Sequence, residues 1–291
     1  MGKQAALDDN NMELLEFCPA KLNLCLEVLR KRPDGYHDIR SLMIPLDFGD
    51  DVLVRIIEGS DTIECTCDNP EVPVGEANLA WRAARAFLKK AGATVGAKIE
   101  ITKRIPVAAG LAGGSSDAAG VLRALNKLLS HPLNDLQLAD TALEIGSDVP
   151  FLLAGGPAWV EGRGERVSRT VVPARWVYLI LCPGFGISSG WAYRNLNLTT
   201  ANLGNNIDYS SLEGIRMVNH LEAPVFRQYP QLEELKKKLV NSGAKAALMS
   251  GSGPSVFGVF EYIETARQVG REFAEKEKMK VYTTKLITNN F

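Results

Sequence analysis

Apolar residues recur along the chain with two different periods, and the change from one to the other marks the predicted elements. Alternation of apolar and polar positions predicts four amino-terminal strands, at residues 13–17, 22–29, 41–46 and 51–57. The first two are expected to be separate because Pro19 cannot donate to a sheet. Helical spacing then predicts an amphipathic helix over 78–91, which Gly92 ends. The chain is thus predicted to begin as a β-meander followed by a helix.

A glycine-rich stretch at residues 106–120 separates the strand predicted at 97–105 from the helical pattern of 118–129. We expect this helix to begin near Ser115 or Ser116, either of which can cap it. Such a loop presents backbone N–H groups at the positive end of a helix, where phosphate binds. It is not a Walker A loop, because no Gly-Lys-Ser/Thr follows the glycines. A phosphate bound here would need a cation from elsewhere in the chain.

The remaining chain mixes strands with helices. Further helices are predicted at residues 135–145, 189–196, 231–240 and 265–278. Further strands are predicted at residues 151–153, 158–160, 176–182, 246–249, 255–260 and 281–287. Residues 197–210 are predicted to be a polar loop. The pattern favours an α+β protein with a second domain starting near residue 165. We therefore expect a flexible tail at 1–11 and domains at 12–165 and 166–291.

Composition limits the classes of function. The chain has 291 residues, 46% of them hydrophobic, which suffices for two domain cores. A net charge of −1 favours neither a nucleic-acid backbone nor an anionic membrane as partner. The five cysteines are odd in number and lack metal-ligand spacing, so we expect reduced thiols and no zinc site. The sequence predicts a cytoplasmic protein that acts on a small molecule, as a monomer or a homodimer.

Lys21 and Asp148 each have two interpretations. Asp148 lies just before Pro150, where an aspartate often stabilises a turn, and Lys21 stands where a solvated surface charge would be ordinary. Together, however, they suit phosphoryl transfer, which needs a group to orient the attacking hydroxyl and a cation to offset phosphate charge. Asn23 lies two positions from Lys21, on the same face of a strand, and could bind a substrate or be an ordinary edge residue.

Three turn or glycine-rich segments resemble, in order and spacing, the three motifs of the GHMP small-molecule kinases: residues 19–24, 106–120 and 249–254. Residues 33–37 and 146–150 narrow the resemblance to members that act in the non-mevalonate route to isoprenoids. It covers residues 17–286. The implied fold is a ribosomal-S5-like α/β domain that carries ATP, followed by a ferredoxin-like domain. The implied reaction moves the γ-phosphoryl group of ATP to the 2-hydroxyl of a CDP-sugar alcohol.

The resemblance also implies roles for individual residues. Lys21 and Asp148 are implied to organise the attacking hydroxyl, with Asp148 in the proton role. Asn78 is implied to approach the adenine. Mg²⁺ is expected with ATP; the sequence assigns it no protein ligand and leaves Ser116 open as a candidate. The ATP-binding loop is implied to comprise Pro106, Ala109, Gly110, Leu111, Ala112, Gly113, Gly114, Ser115 and Ser116.

For the acceptor substrate, the resemblance implies a cytosine pocket. An aromatic ring, Tyr36, stacks on the base, and His37 reads its Watson–Crick edge. Tyr193 is expected on the opposite face of the base, with Trp191 as the alternative. The second domain is expected to support the loop and the substrate through Ser250, Gly251 and Gly253, although a tight strand-to-strand turn would also account for these glycines.

Two other functions stay open at this point. The first is a GHMP kinase for homoserine or mevalonate, which residues 35–37 and Tyr193 argue against because neither substrate carries a base. The second is a ligand-binding module without catalysis, against which the intact Lys21 and Asp148 argue. Binding of cytidine nucleotides tests the first alternative, and release of ADP tests the second.

Overall fold

Two β-sheets, one packed against the other, organise the chain in the computed structural model, which describes residues 12–198, 211–212 and 214–287. The predicted tail at 1–11 and most of the polar loop predicted at 197–210 lie outside the described residues. The predicted α+β class is confirmed. In the part of the chain that is described, no helix has both the length and the apolar character needed to cross a membrane.

The first sheet is built on two long antiparallel strands, β1 (Glu13–Lys31) and β2 (His37–Ile57). Five shorter strands extend it, namely β3 (Ile63–Cys67), β4 (Gly96–Thr102), β5 (Ala158–Gly162), β6 (Arg166–Arg169) and β10 (Val218–Asn219). Their order is β10-β1-β2-β4-β3, with β5 paired to β2 and β6 paired to β5.

The predicted break in the first strand is wrong. β1 continues through Pro19, and its register with β2 shifts between Pro19 and Lys21 and again between Asn23 and Cys25. These irregularities accommodate the missing proline N–H without ending the strand. The two strands predicted at 41–46 and 51–57 are likewise one strand, β2. Lys21 and Asn23 are therefore buried in the middle of a sheet rather than exposed at a strand start.

Helices α1 (Leu79–Ala91), α2 (Gly113–Leu128), α3 (Asp135–Ile145) and α4 (Val149–Ala154) cover one face of the first sheet. The predicted boundaries of α1 are confirmed, since Asn78 caps it and Gly92 ends it in the left-handed conformation. α2 packs closely against β1 because residue 120 is glycine, and a Cβ there would clash with the Cys18 sulfur. A one-turn 3₁₀ helix, Gly75–Ala77, precedes α1.

Two local predictions in this layer are wrong. α2 begins at Gly113, with Ala112 at the N-cap in the left-handed conformation, so neither Ser115 nor Ser116 caps it. The strand predicted at residues 151–153 is part of helix α4, which has Pro150 in its first turn. A short apolar run that is buried on all sides has no periodicity to distinguish a strand from a helix.

The second sheet consists of four antiparallel strands in the order β11 (Ala246–Met249), β12 (Val256–Phe260), β7 (Val177–Cys182) and β13 (Lys280–Lys285). Three helices of this half of the chain are α6 (Glu222–Gln228), α7 (Pro230–Asn241) and α8 (Ile263–Glu277). The short helix α5 (Ser189–Arg194) follows β7, and β8 (Ser211–Leu212) pairs with β9 (Ile215–Arg216).

The two sheets meet through an apolar interface. Leu22 and Leu24 of β1 pack in one cluster with Tyr178 and Phe257 of the second sheet. Because side chains alternate along a strand, Lys21 and Asn23 face the other way. The predicted division at residue 165 stays a prediction; β10 joins the first sheet although it lies far along the chain.

Candidate active site

A cavity of about 1590 Å³ lies where the glycine-rich loop, β1 and the second half of the chain meet. The predicted site residues that line it are Lys21, Asn23, Tyr36, His37, Asn78, Pro106, Ala109, Gly110, Ala112, Gly113, Gly114, Ser115, Asp148, Tyr193 and Gly251. Four others do not line it, namely Leu111, Ser116, Ser250 and Gly253. The fold thus brings together residues from across the sequence.

Lys21 is fully enclosed, and two acceptors fix its ammonium. Its Nζ donates to Asn23 Oδ1 at 2.5 Å and to the carbonyl oxygen of Gly110 at 2.9 Å. Asn23 in turn donates to Ser41 Oγ at 2.8 Å, so Asn23 holds Lys21 in place. Burial lowers the pKa of Lys21, and the charge of Asp148 opposes that shift. The Lys21 ammonium and the Asp148 carboxylate are therefore close enough to interact, and both line the same cavity.

Asp148 occupies the N-cap of α4, but its side chain makes no capping hydrogen bond. Its carboxylate is consequently left to face the cavity. The turn that carries it is held from outside: a Cβ at Gly164 would clash with the carbonyl oxygen of Ser147, so the hairpin between β5 and β6 packs directly on the turn. This arrangement positions an acidic group without using it in the fold.

The glycine-rich loop directs the N-terminus of α2 at the cavity. Gly110 and Ala112 both adopt positive φ angles, of 79° and 59°, which turn the chain into the helix. The first amide groups of a helix have no intrahelical acceptor and carry partial positive charge. Gly113, Gly114 and Ser115 form this first turn and line the cavity. The geometry is that of a phosphate-binding site.

The predicted residues that do not line the cavity fasten this loop. Ser250 Oγ donates to the carbonyl oxygen of Gly110 at 3.0 Å, and a Cβ at Gly110 would clash with the carbonyl oxygen of Ser250. Gly253 N–H donates to Ser250 O at 2.9 Å and closes the supporting turn. On the other side, Ser116 Oγ donates to Pro19 O at 2.7 Å, and Leu111 O accepts from Lys21 N–H at 3.1 Å.

Asn78 lines the cavity, but both ends of its amide are occupied. Its Oδ1 accepts from Ala80 N–H at 2.8 Å as the cap of α1, and its Nδ2 donates to Pro73 O at 2.9 Å. Asn78 therefore shapes this side of the cavity by holding the segment that precedes α1.

Aromatic side chains also line the cavity. The rings of His37 and Tyr193 stack with centroids 5.3 Å apart. Tyr36 is half exposed, with the Arg163 guanidinium 5.2 Å from its ring centroid. Trp191 instead packs edge-on against Tyr229 and does not line the cavity.

The protonation states of His37 and Tyr193 suit a neutral ligand ring. Burial lowers the pKa of His37, and the positive charge of Lys31 lowers it further, so the imidazole is neutral at pH 7. Burial and the charge of Asp148 raise the pKa of Tyr193, which keeps its hydroxyl proton. The pocket thus offers a neutral imidazole beside aromatic faces.

Several residues that line this cavity are not predicted from the sequence, among them Lys103, Asp117 and Arg163. Lys103 lies inside the strand predicted at 97–105, whereas β4 ends just before it, at Thr102. Arg163 directly follows β5, in the turn that leads to β6. A signal was present in both cases, since each is a basic residue at the end of an element that neighbours a candidate motif.

Two parts of the chain match known protein families. Residues 78–156 match the GHMP kinases N terminal domain, and residues 199–278 match the GHMP kinases C terminal domain. The 4-diphosphocytidyl-2-C-methyl-D-erythritol kinase of Citrifermentans bemidjiense is 44% identical over 264 residues, which span 89% of this chain and 94% of the relative. A protein of the same name from Anaeromyxobacter sp. is 46% identical over 255 residues, or 86% and 81% of the two chains.

Solved structures agree with the sequence relatives. The crystal structure of a 4-(cytidine 5'-diphospho)-2C-methyl-D-erythritol kinase matches with a TM-score of 0.79 at 32% identity, covering 95% of this chain and 100% of that one. Homoserine kinase from Cytophaga hutchinsonii matches with a TM-score of 0.74 at 21% identity over 98% of both chains, which supports the fold alone. The resemblance seen in the five motifs is confirmed. The chain is an ATP-using small-molecule kinase that belongs to the 4-diphosphocytidyl-2-C-methyl-D-erythritol kinase family of the GHMP kinases.

Proposed function

We propose that the chain transfers the γ-phosphoryl group of ATP to the 2-hydroxyl of 4-diphosphocytidyl-2-C-methyl-D-erythritol, a step of the non-mevalonate route to isoprenoids. One observation supports the proposal: in a single cavity, Lys21 donates to the carbonyl oxygen of Gly110 in the phosphate-binding loop, and the charge of Asp148 acts both on Lys21 and on Tyr193, which stacks with His37. That order matches a donor triphosphate, a reacting hydroxyl and a pyrimidine base. The names of the relatives support the same substrate.

The nucleotide phosphates lie against the N-terminus of α2, where Gly113, Gly114 and Ser115 present their amide groups. Small residues are required because the phosphates approach the backbone closely. Ala109 and Gly110 form the near side of the loop, which Ser250 holds in place. The loop itself positions the donor and takes no part in bond making.

Mg²⁺ accompanies ATP in this proposal and offsets the charge of its β- and γ-phosphates. Within the described residues, no group of three or more His, Cys, Asp or Glu side chains could hold a metal by itself. Mg²⁺ usually keeps several waters and is bound largely by the phosphates of the substrate. In this proposal it therefore enters the site already bound to ATP. No protein ligand is assigned to it.

At the reacting centre, Asp148 orients the 2-hydroxyl and accepts its proton, while the Lys21 ammonium stabilises the oxygen as negative charge develops. Phosphoryl transfer has a loose transition state, so catalysis depends mainly on alignment and on charge stabilisation. Lys21 is suited to this role because Asn23 and Gly110 O already fix its position. Lys21 supplies the cation that the glycine-rich loop lacks.

The cytosine lies between Tyr36 and Tyr193, with the neutral His37 imidazole at its Watson–Crick edge. Stacking on an aromatic face contributes about 1–3 kcal/mol per base. Arg163 lines the same cavity next to Tyr36 and offers a cation to the diphosphate that joins base and alcohol.

We further propose that the enzyme is cytoplasmic, has no nucleic-acid partner, and works as a monomer or a homodimer.

Thermal protection tests this assignment against its rivals. A ligand that binds the folded state raises the melting temperature. We expect CDP and CMP to raise it, and mevalonate and homoserine to leave it unchanged. Protection by mevalonate or homoserine without protection by CDP would instead indicate another GHMP kinase. Binding of ATP and CDP-alcohol with no release of ADP would indicate a ligand-binding module.

A further inference from the structure

Three buried charges lie beside the phosphate-binding loop. Lys103 Nζ donates to Asp50 Oδ2 and to Asp117 Oδ2, each at 2.6 Å, and all three side chains are almost completely buried. Asp50 Oδ1 also accepts from the N–H groups of Arg104 at 2.5 Å and Ile105 at 2.8 Å. The cluster thus ties the chain that enters the loop to α2, into which the loop leads.

The cluster has one more negative group than positive. Asp117 Oδ1 is buried and has no hydrogen-bond partner, which is costly for a charged oxygen. When two carboxyl groups share one buried site, one of them tends to retain its proton. Burial and the neighbouring Asp50 raise the pKa of Asp117 to about 7, against the opposing effect of Lys103. Asp117 therefore gains or loses a proton near neutral pH.

Three thiols and one phenol around the cluster do not change charge in that range. Burial raises the pKa of the thiols of Cys18, Cys65 and Cys67, and also that of Tyr282, so these groups stay protonated. The remaining charged neighbours are already paired: Glu16 with Arg123 and Lys127, Arg104 with Asp51, and Asp68 with the N–H of Lys103.

The cluster lies close enough to the loop to affect it. A Cβ placed on Gly113 would lie 2.9 Å from Lys103 Nζ, so the ammonium lies directly against the first residue of α2. Lys103 and Asp117 also line the cavity. With a proton on Asp117, the charges of Lys103 and Asp50 balance. Loss of that proton places a net negative charge beside the helix end that binds phosphate.

We propose that Asp117 holds a proton beside Lys103 and Asp50, and that this cluster positions the nucleotide-binding loop so that ATP binds more weakly once the proton is lost. The inference rests on the proposed function only in that the loop binds ATP. It does not depend on the identity of the alcohol substrate.

The test measures the Kd of Mg-ATP by calorimetry, without the alcohol, between about pH 6 and about pH 8.5. We expect the Kd of the wild type to rise about three- to tenfold across this range. The substitution Asp117→Asn keeps the shape of the side chain and removes its charge, so its Kd should stay nearly flat. Any change in Kd that comes from the titration of ATP itself is the same for both proteins, so the difference between their pH curves reports Asp117. Asp51→Asn, a neighbouring change at the surface, should follow the wild type.

Parallel pH curves in the wild type and Asp117→Asn would overturn the proposal. If Asp117→Asn does not fold, infrared difference spectra of the wild type decide. The band of a protonated, buried carboxyl group should disappear between about pH 6 and about pH 8.5. If no such band disappears in this range, the proposal is overturned. Normal pH-dependent ATP binding with an unreactive CDP-alcohol would contradict the proposed function alone. Failure to bind ATP at every pH would contradict both.

Discussion

Lys21 and Asp148 reach the same cavity from the middle of β1 and from the N-cap of α4, and the charge of Asp148 partly offsets the effect of burial on the pKa of Lys21. Hydrogen bonds to Asn23 and Gly110 hold the lysine, whereas the aspartate side chain has no role in capping its helix. A fixed cation therefore faces a carboxylate that the fold does not use.

Replacing Asp148 with Asn should lower kcat by about 10²–10⁴-fold, since the amide cannot accept the hydroxyl proton. The melting temperature should change little because the side chain makes no capping bond. A coupled ADP-release assay with ATP and the CDP-alcohol measures the effect. Asp140→Asn, an exposed change on the neighbouring helix α3, should leave kcat intact. A folded Asp148→Asn enzyme with nearly normal kcat would exclude the proton role.

The alkaline side of the pH profile should report Lys21. Its protonated form is the active one, and burial lowers its pKa, so kcat should begin to fall below the pH at which an ordinary lysine titrates. Lys21→Arg keeps a permanent charge and should lack this decline, although its kcat is lower because guanidinium geometry differs. Measuring kcat from about pH 7 to about pH 10 compares the two. Identical alkaline limbs would rule out Lys21 as the titrating group.

Loss of the Tyr193 ring should weaken binding of the cytidine substrate. Tyr193→Ala should raise the KM for the CDP-alcohol roughly 5- to 150-fold, corresponding to about 1–3 kcal/mol of stacking. Tyr193→Phe should stay close to the wild type. His37→Ala should also raise this KM, because the imidazole no longer meets the base.

Trp191→Phe is the matched control, since Trp191 lies on the same helix but packs against Tyr229. The KM for ATP should not change in any of these variants. The cytosine assignment fails if Tyr193→Ala and His37→Ala both retain the wild-type KM for the CDP-alcohol.

Two glycines have the same φ, so replacing each with Ala distinguishes the effect of backbone strain from the effect of a displaced loop. Gly110 and Gly184 both have φ of 79°, but a Cβ has open space at Gly184 and clashes with Ser250 O at Gly110. Gly184→Ala should cost about 1–2 kcal/mol of unfolding free energy and leave kcat unchanged. Gly110→Ala should cost more and lower kcat by about 10²-fold, because the loop that touches Lys21 is displaced. Equal kcat in the two variants would contradict the coupling of loop and site.

The elements that the sequence predicts best are those whose first and last residues carry capping signals. Helix α3 has the predicted bounds because Asn134 and Gln137 form a capping box and Gly146 follows. Pro19 misled the prediction because the partner strand absorbs a proline at an irregularity in register, which no local pattern reveals. Residues 151–153 formed a helix because the surrounding core, rather than periodicity, decides the structure of a short apolar run.

The same limit applies to the site. Lys21, His37 and Asp148 stood in recognisable motifs and could be named from the sequence. Lys103 and Asp117 could not be paired in advance, because their contact depends on where β4 ends and on which face of α2 meets it. The choice of Tyr193 over Trp191 likewise depends on the direction of a short helix. Such contacts arise from tertiary packing and carry no signal in sequence spacing.

The most direct test of the central claim is turnover with defined acceptors. Purified enzyme, Mg-ATP and 4-diphosphocytidyl-2-C-methyl-D-erythritol should release ADP, and phosphorus NMR of the product should show a new phosphate on the 2-hydroxyl. Homoserine and mevalonate at the same concentration should give only background release. Phosphorylation of either of these acceptors, or no phosphorylation of the cytidine substrate by a folded enzyme that binds ATP, would contradict the account.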